Sequence, residues 1–418
     1  MILNFLTYLE NMKIDYCVIN GYQEMVNQKI SDNDNDILFK QKDFKNINYI
    51  IKNFCTENGF YIVQIMNHNI WAKNFFLYNP IKDIFLNLDL YGELSRRNIV
   101  FFKEEDIFNT LKKYDNIFIL APEKEFINYL IKKLDKKDLT INNFKHLYSL
   151  YFNAQQLCDN ALKIFFPKYH QLIKQYFINN DFIGIKKDER KIIKDFYTLK
   201  NNNIYRKIIN FFRIIKRIIK PTGLTIAFLG PDGSGKSTII DAIIERQLPF
   251  RRKDYFHLKP IITDMSKSNM VDDPHAKLTY NNLKSYLKLL YFVYQYNMGW
   301  IKNILKLQTK SSLIIFDRYF DDMLVDYKRY RYGGSIKIAK YASYFIPKPD
   351  LYFILTTDAE VIYKRKQEVP FIELKLQIDK YRALADGKNY FNINVNKTPK
   401  AISQEVVQIM MEKMNERY

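Results

Sequence analysis

The residues with the most chemistry in them stand together at 230–238: Gly230-Pro231-Asp232-Gly233-Ser234-Gly235-Lys236-Ser237-Thr238. They follow the apolar run Leu224-Thr225-Ile226-Ala227-Phe228-Leu229 and open onto Ile239-Ile240-Asp241-Ala242-Ile243-Ile244. Strand, glycine-rich turn and helix in that order make a phosphate cradle. The glycines let successive backbone N–H groups point inward, at the positive end of a helix. Lys236 can then reach the β- and γ-phosphates, and the Ser237 hydroxyl can ligate Mg²⁺. Gly230, Asp232, Gly233, Ser234, Gly235, Lys236, Ser237 and Thr238 are thus expected to hold a nucleoside triphosphate.

A second apolar run, Leu313-Ile314-Ile315-Phe316, ends in Asp317-Arg318. An acid at a strand tip beside such a loop can hold Mg²⁺ or accept a proton from an acceptor hydroxyl. The Arg318 guanidinium beside it suits a phosphate or carboxylate. Further on, Arg329 and Arg331 alternate with tyrosines in Asp326-Tyr327-Lys328-Arg329-Tyr330-Arg331-Tyr332-Gly333-Gly334. They could clamp phosphate or stack on a ring, against the alternative of a solvated basic loop. His257 is a further candidate for the acceptor site, although a lone histidine is often structural.

From Gly223 onward these features resemble the thymidylate kinase family of P-loop kinases. The loop at 230–238 is similar to the family's phosphate loop, and Asp317-Arg318-Tyr319 to its Asp-Arg motif, whose arginine grips the acceptor. Pro349-Asp350-Leu351 resembles the start of its late strand, and Thr357-Asp358-Ala359-Glu360-Val361 the following helix. Tyr363-Lys364-Arg365-Lys366 stands where its lid begins, which makes Arg365 a candidate catalytic cation. The resemblance implies ATP, Mg²⁺ and phosphoryl transfer. The family's Arg-Glu-Pro-Gly-Gly-Thr stretch has no counterpart, Tyr255-Phe256-His257-Leu258-Lys259-Pro260 standing instead. Its thymine-reading helix is replaced by Tyr291-Phe292-Val293-Tyr294-Gln295-Tyr296, and the residues after Asp-Arg by Asp321-Asp322-Met323-Leu324-Val325-Asp326.

The other acids of interest lie near the N-terminus. Ser31-Asp32-Asn33-Asp34-Asn35-Asp36 enters a strand with acids at alternate positions, which puts Asp34 and Asp36 on one face. Ile37 occupies the place where a calcium-binding EF-hand loop needs glycine, so that reading is set aside. Asp89 ends a later apolar run. Gly21, Asp34, Asp36 and Asp89 together resemble the polymerase-β-type nucleotidyltransferases, and the resemblance implies a shared divalent metal. Tyr22 departs from that family's small residue. An Asn/Asp-rich turn without metal, or an inactive copy of the fold, is the competing reading.

The elements that must position these groups fall into three regions. Residues 1–139 mix helices with strands at 16–19, 36–39, 61–65 and 84–90, an α+β pattern with a mixed sheet, and the resemblance above implies a nucleotidyltransferase-like domain there. Residues 140–220 read as helical throughout, a connector ended by Pro221-Thr222-Gly223. Residues 221–418 alternate strands at 226–229, 313–316, 351–355 and 390–395 with helices. That is the pattern of an α/β parallel sheet wrapped by helices, as in a P-loop kinase domain.

The stretch Arg206 to Lys220 repeats paired apolar residues at helical spacing among cations. Such a helix can lie on an anionic membrane surface or pack its stripe against a domain. The packed linker is favoured, because the stretch abuts the first strand of the C-terminal domain.

Composition narrows the classes. The chain has 418 residues, 47% of them hydrophobic, and a formal net charge of +20. Much of that charge is lysine in a chain rich in Lys, Asn, Ile and Tyr. No nucleic-acid motif accompanies it, so a nucleic-acid partner is not expected. Three dispersed cysteines, with no signal peptide and no membrane-spanning run, suit a reducing cytoplasm, with the basic helix offering contact with the inner face of the membrane.

The expected activity is an ATP-dependent kinase whose acceptor is not simply dTMP, and a homodimer is compatible with it. Two-domain chains of this type resemble proteins of bacterial surface-polysaccharide synthesis, which implies a sugar or glycan hydroxyl as acceptor. The alternatives are a thymidylate kinase and an ATP-binding switch that transfers nothing.

Overall fold

The computed structural model describes residues 1–26, 35–97, 99–199, 204–261 and 278–418. Asp34 therefore lies outside the described residues. The chain forms two compact units, Met1–Ile214 and Ile215–Tyr418.

In the first unit seven strands form one mixed sheet. They are β1 (Tyr16–Val18), β2 (Asn35–Phe39), β3 (Tyr61–Asn69), β4 (Ala72–Asn79), β5 (Ile84–Tyr91), β6 (Lys112–Tyr114) and β7 (Ile117–Ile119). Their order is β3-β4-β5-β2-β1-β7-β6. Strands β3, β4 and β5 pair antiparallel, as do β1 with β2 and β6 with β7, whereas β2–β5 and β1–β7 are parallel. Alternation along β1 and β2 divides the core. Tyr16, Val18, Ile37 and Phe39 face a layer built with Phe5, Leu9 and Phe54 from helices Ile2–Asn11 and Ile47–Asn58. Cys17, Ile19 and Leu38 face the opposite layer. Because both faces are covered, these short strands read as continuous apolar runs.

That second layer holds helix Pro122–Lys136 and the helices Ile141–Asn153, Gln155–Phe165, His170–Ile178 and Phe182–Thr198. They bury Phe126, Leu130, Phe144, Leu162, Phe177 and Phe196 in one cluster. Thr140 and Asp181 cap two of these helices by accepting from the backbone N–H of Asn143 and Gly184.

In the second unit five strands form a wholly parallel sheet: β8 (Leu224–Leu229), β9 (Arg252–His257), β10 (Ser312–Asp317), β11 (Leu351–Thr356) and β12 (Tyr390–Asn394). The order is β9-β10-β8-β11-β12. Every residue of β8 and β11 is buried, as befits central strands covered on both faces. Helices Lys236–Glu245 and Pro399–Asn415 are among those that flank the sheet. With the glycine-rich loop leaving the C-terminal end of central β8, this is a P-loop kinase-type α/β fold. Among the described residues no helix is long and apolar enough to cross a membrane.

Candidate active site

The loop after β8 owes its shape to glycine. Gly230 has φ +142°, and a Cβ there would stand 2.5 Å from the Leu355 carbonyl oxygen on β11. Gly233 and Gly235 are left-handed, at φ +84° and +85°. Gly235 then caps helix Lys236–Glu245. Lys236 is buried and donates to the carbonyl oxygens of Gly230 (2.8 Å) and Pro231 (2.9 Å), so its chain folds back over the loop. Burial, reinforced by the neighbouring Arg318 guanidinium, pushes its ammonium down to about 8, against the pull of Asp232 and Asp317. Ser237 and Thr238 are exposed on the first turn.

Strand β10 lies beside β8 in parallel register and carries Asp317 opposite Phe228. Asp317 Oδ2 receives the Tyr255 hydroxyl at 3.2 Å and lies 3.7 Å from His257 Nδ1. Burial raises this carboxyl, but His257, Lys236 and Arg318 together hold it below the usual range. Among the described residues its Oδ1 is buried with no hydrogen-bond partner, as is the Ser234 hydroxyl in the loop. An orphaned carboxylate oxygen and an orphaned hydroxyl beside a phosphate cradle fit Mg²⁺ with a nucleotide.

Arg318 turns sharply off the strand at φ +70°, its N–H donating to the Phe228 carbonyl at 3.0 Å. Only 4% of it is exposed. One guanidinium nitrogen donates to Asp322 at 2.8 Å and another to Asp232 in the loop. Arg329 reaches the second oxygen of Asp232. Burial raises the Asp232 carboxyl, while its hydrogen bond with Glu368 and the charges of Arg318, Lys236 and Arg329 outweigh that and hold it far below the carboxylate range. Asp322 in turn accepts from the hydroxyls of Tyr330 (2.8 Å) and Tyr381.

The predicted residues thus divide. Lys236, Asp232, Asp317, Arg318 and Arg329 come together, and His257 stands at their rim, its side chain 59% exposed. Arg331 points elsewhere: it donates to the Leu278 carbonyl and stacks 4.2 Å from the Tyr280 ring centroid. Arg365 is exposed at the end of helix Ala359–Arg365. Lys366 lines the small cavity that also holds Asp232, Arg318, Arg329 and Glu368. Asp322 and the two tyrosines behind Arg318 were missed by the motif reading.

In the first unit, parallel pairing sets Asp36 opposite Asp89. Asp36 accepts from Asn20 (2.8 Å), Lys132 (2.8 Å) and Tyr91 (3.2 Å), and Asp89 accepts from Asn74 (2.6 Å). Among the described residues no three His, Cys, Asp or Glu side chains form a group that could hold a metal.

Residues 228–406 match the thymidylate kinase family. They form a thymidylate kinase-like domain. The match covers less than half of the chain and supports an ATP-dependent phosphotransferase of the nucleotide kinase kind in this domain, the family being one that uses ATP with Mg²⁺. Two solved thymidylate kinases are similar. That of Candida albicans is 20% identical over 46% of this chain and 93% of its own, with a TM-score of 0.34. That of Ehrlichia chaffeensis is 19% identical over 45% of this chain and 98% of its own, with a TM-score of 0.32. The family match points to a nucleotide acceptor and lends no support to the glycan acceptor expected from the sequence.

Proposed function

We propose that the thymidylate kinase-like domain, assigned to residues 221–418, transfers the γ-phosphoryl group of ATP to a nucleoside monophosphate, with dTMP the first acceptor to test. The observation that carries this reading is the convergence of Arg318 and Arg329 on Asp232, within the glycine-rich loop itself. Two guanidiniums brought from separate segments to one anionic point suit an acceptor that is itself a phosphate. A neutral sugar hydroxyl has no need of them.

In this reading the loop amides and Lys236 hold the triphosphate. Lys236 exchanges its two carbonyl partners for phosphate oxygens, which restores the charge that burial opposes. Ser237 and Asp317 would hold Mg²⁺, which supplies charge neutralisation at the phosphate oxygens. Arg318 and Arg329 orient the acceptor phosphate, whose oxygen attacks the γ-phosphorus as ADP departs. Lys366, with Arg365, supplies lid cations. Residues 140–220 serve as a connector. Residues 1–139 are read as a nucleotidyltransferase-like accessory domain whose Asp36 is neutralised by Lys132 rather than by metal.

The test is ADP release from Mg²⁺-ATP with dTMP, other nucleoside monophosphates and free sugars as acceptors. Turnover of about 1–100 s⁻¹ with a nucleoside monophosphate is expected. Release with sugars alone would return the glycan reading. Tight ATP binding with no release under any acceptor would leave a nucleotide switch.

A further inference from the structure

The helix Ile204–Ile219 is turned the opposite way from a packed linker. Its polar stripe is the anchored one. The Arg206 guanidinium donates to both oxygens of buried Glu93, at 2.7 and 2.8 Å. Two turns on, Arg213 donates to the Asn67 carbonyl at 2.6 Å. The apolar stripe faces outward: Phe211 and Phe212 are 61% and 62% exposed, Ile218 60% and Ile219 71%, with Ile208 in line with them. Lys207, Lys216 and Lys220 are exposed along it.

We propose that this face is a docking surface for an anionic lipid membrane, on which the helix lies in the plane of the interface. Five large apolar side chains on one stripe are the part of an interfacial helix that enters the acyl boundary. Lysines flanking such a stripe extend their ammonium groups to lipid phosphates while their stems stay with the apolar layer. Sixteen residues span roughly 24 Å at helical rise, a length that suits lying along the surface.

Charge decides against a second copy as occupant. Residues 204–220 contain six cations and no acid, so a symmetric pairing of this face would set lysine against lysine with nothing to offset it. The proposal does not rest on the acceptor chosen above.

The experiment is sedimentation of the full-length protein with vesicles of phosphatidylcholine alone, and with vesicles containing about one third phosphatidylglycerol. Each lysine near an anionic surface contributes about five-fold, so Lys216 and Lys220 alone predict at least a ten-fold preference for the anionic vesicles, shrinking in high salt. Phe211→Ser with Phe212→Ser should lose binding at least ten-fold while ADP release and circular dichroism stay unchanged. Lys216→Glu with Lys220→Glu, which leaves the apolar stripe intact, should remove the lipid-charge preference. Equal binding to both vesicle types would overturn the proposal, as would wild-type binding by either variant. So would a wild-type dimer that becomes a monomer in the serine variant without any vesicle binding, which would identify a second copy as the occupant.

Discussion

Asp322 holds the Arg318 guanidinium at 2.8 Å from within the same segment, four residues on, and no part of Asp322 reaches solvent. Tyr330 and Tyr381 fill further acceptor positions of that carboxylate, so its orientation is fixed from three directions. Asp322→Asn removes the charge but keeps the shape. It should lower kcat/KM about 100-fold, by loosening Arg318, and reduce stability by about 3 kcal/mol, because the buried guanidinium loses one of the two carboxylates, Asp322 and Asp232, that offset its charge. The neighbouring Asp321 gives the contrast: burial pushes its carboxyl up, towards the neutral form, and it accepts from Tyr390 at 3.1 Å. Asp321→Asn should therefore cost only about 1 kcal/mol. Steady-state kinetics and thermal melts on the two variants check both numbers.

Lys236 makes the stability of the nucleotide-free protein depend on alkaline pH. Its folded value of about 8 lies below the 10.5 of an unperturbed lysine. Between these values the unfolded chain binds more protons than the folded one, so stability rises with pH across that window, by up to about 3 kcal/mol. Below pH 8 the lysine is charged in both states and the full burial penalty applies. Lys236→Met should flatten the rise and be the more stable protein near pH 7, while losing at least about 1,000-fold in phosphoryl transfer. Melting temperatures of both proteins from pH 7 to 10 decide the point; parallel curves would remove Lys236 as the cause.

What the sequence could disclose about this site was whatever is local. The cradle at 230–238 and the Asp317-Arg318 tip each sit at the end of an apolar run, and β8, β10 and β11 lie within a residue or two of where those runs placed them. Strand β9 went unseen because Arg-Lys-Asp-Tyr-Phe-His buries only Phe256, as an edge strand does. Strand β6 is exposed along its whole length for the same reason. Arg329 and Arg331 are indistinguishable as letters, since Tyr280 and Leu278, which draw Arg331 away, lie about fifty positions earlier. The outward turn of the basic helix depends on Glu93, more than a hundred positions from Arg206. Side-chain choices made by distant partners leave no periodicity to read.

Two glycines of the cradle are expected to differ sharply. At Gly230 a methyl group would meet the Leu355 backbone carbonyl at 2.5 Å, a group that β11 holds in the sheet. At Gly235 nothing among the described residues lies within 4 Å of an added Cβ, and the positive φ is what opposes a side chain. Gly235→Ala should cost about 1–2 kcal/mol of stability, and Gly230→Ala about 3 kcal/mol or more together with a large loss of ATP affinity. Denaturant unfolding and titration with a fluorescent ATP analogue measure the pair; equal costs would mean that the loop-to-β11 contact does not shape the cradle.

Arg329 and Arg331 provide the sharpest check on where the acceptor sits. Arg329 meets Asp232 across the cradle, whereas Arg331 donates to the Leu278 carbonyl and stacks on Tyr280. If the acceptor phosphate is read at the Asp232 corner, Arg329→Ala should raise the acceptor KM by about ten-fold or more, since one charge-assisted contact is worth about 1.5–3 kcal/mol. The KM for ATP should change little, because the loop amides and Lys236 remain. Arg331→Ala should leave both constants within about two-fold, a surface-type change. The reverse ranking would move the acceptor to the Tyr280 side and detach Asp232 from acceptor recognition. Arg329→Lys separates charge from geometry: a compact ammonium keeps the attraction but lacks the guanidinium fork, so it should recover only part of the lost affinity.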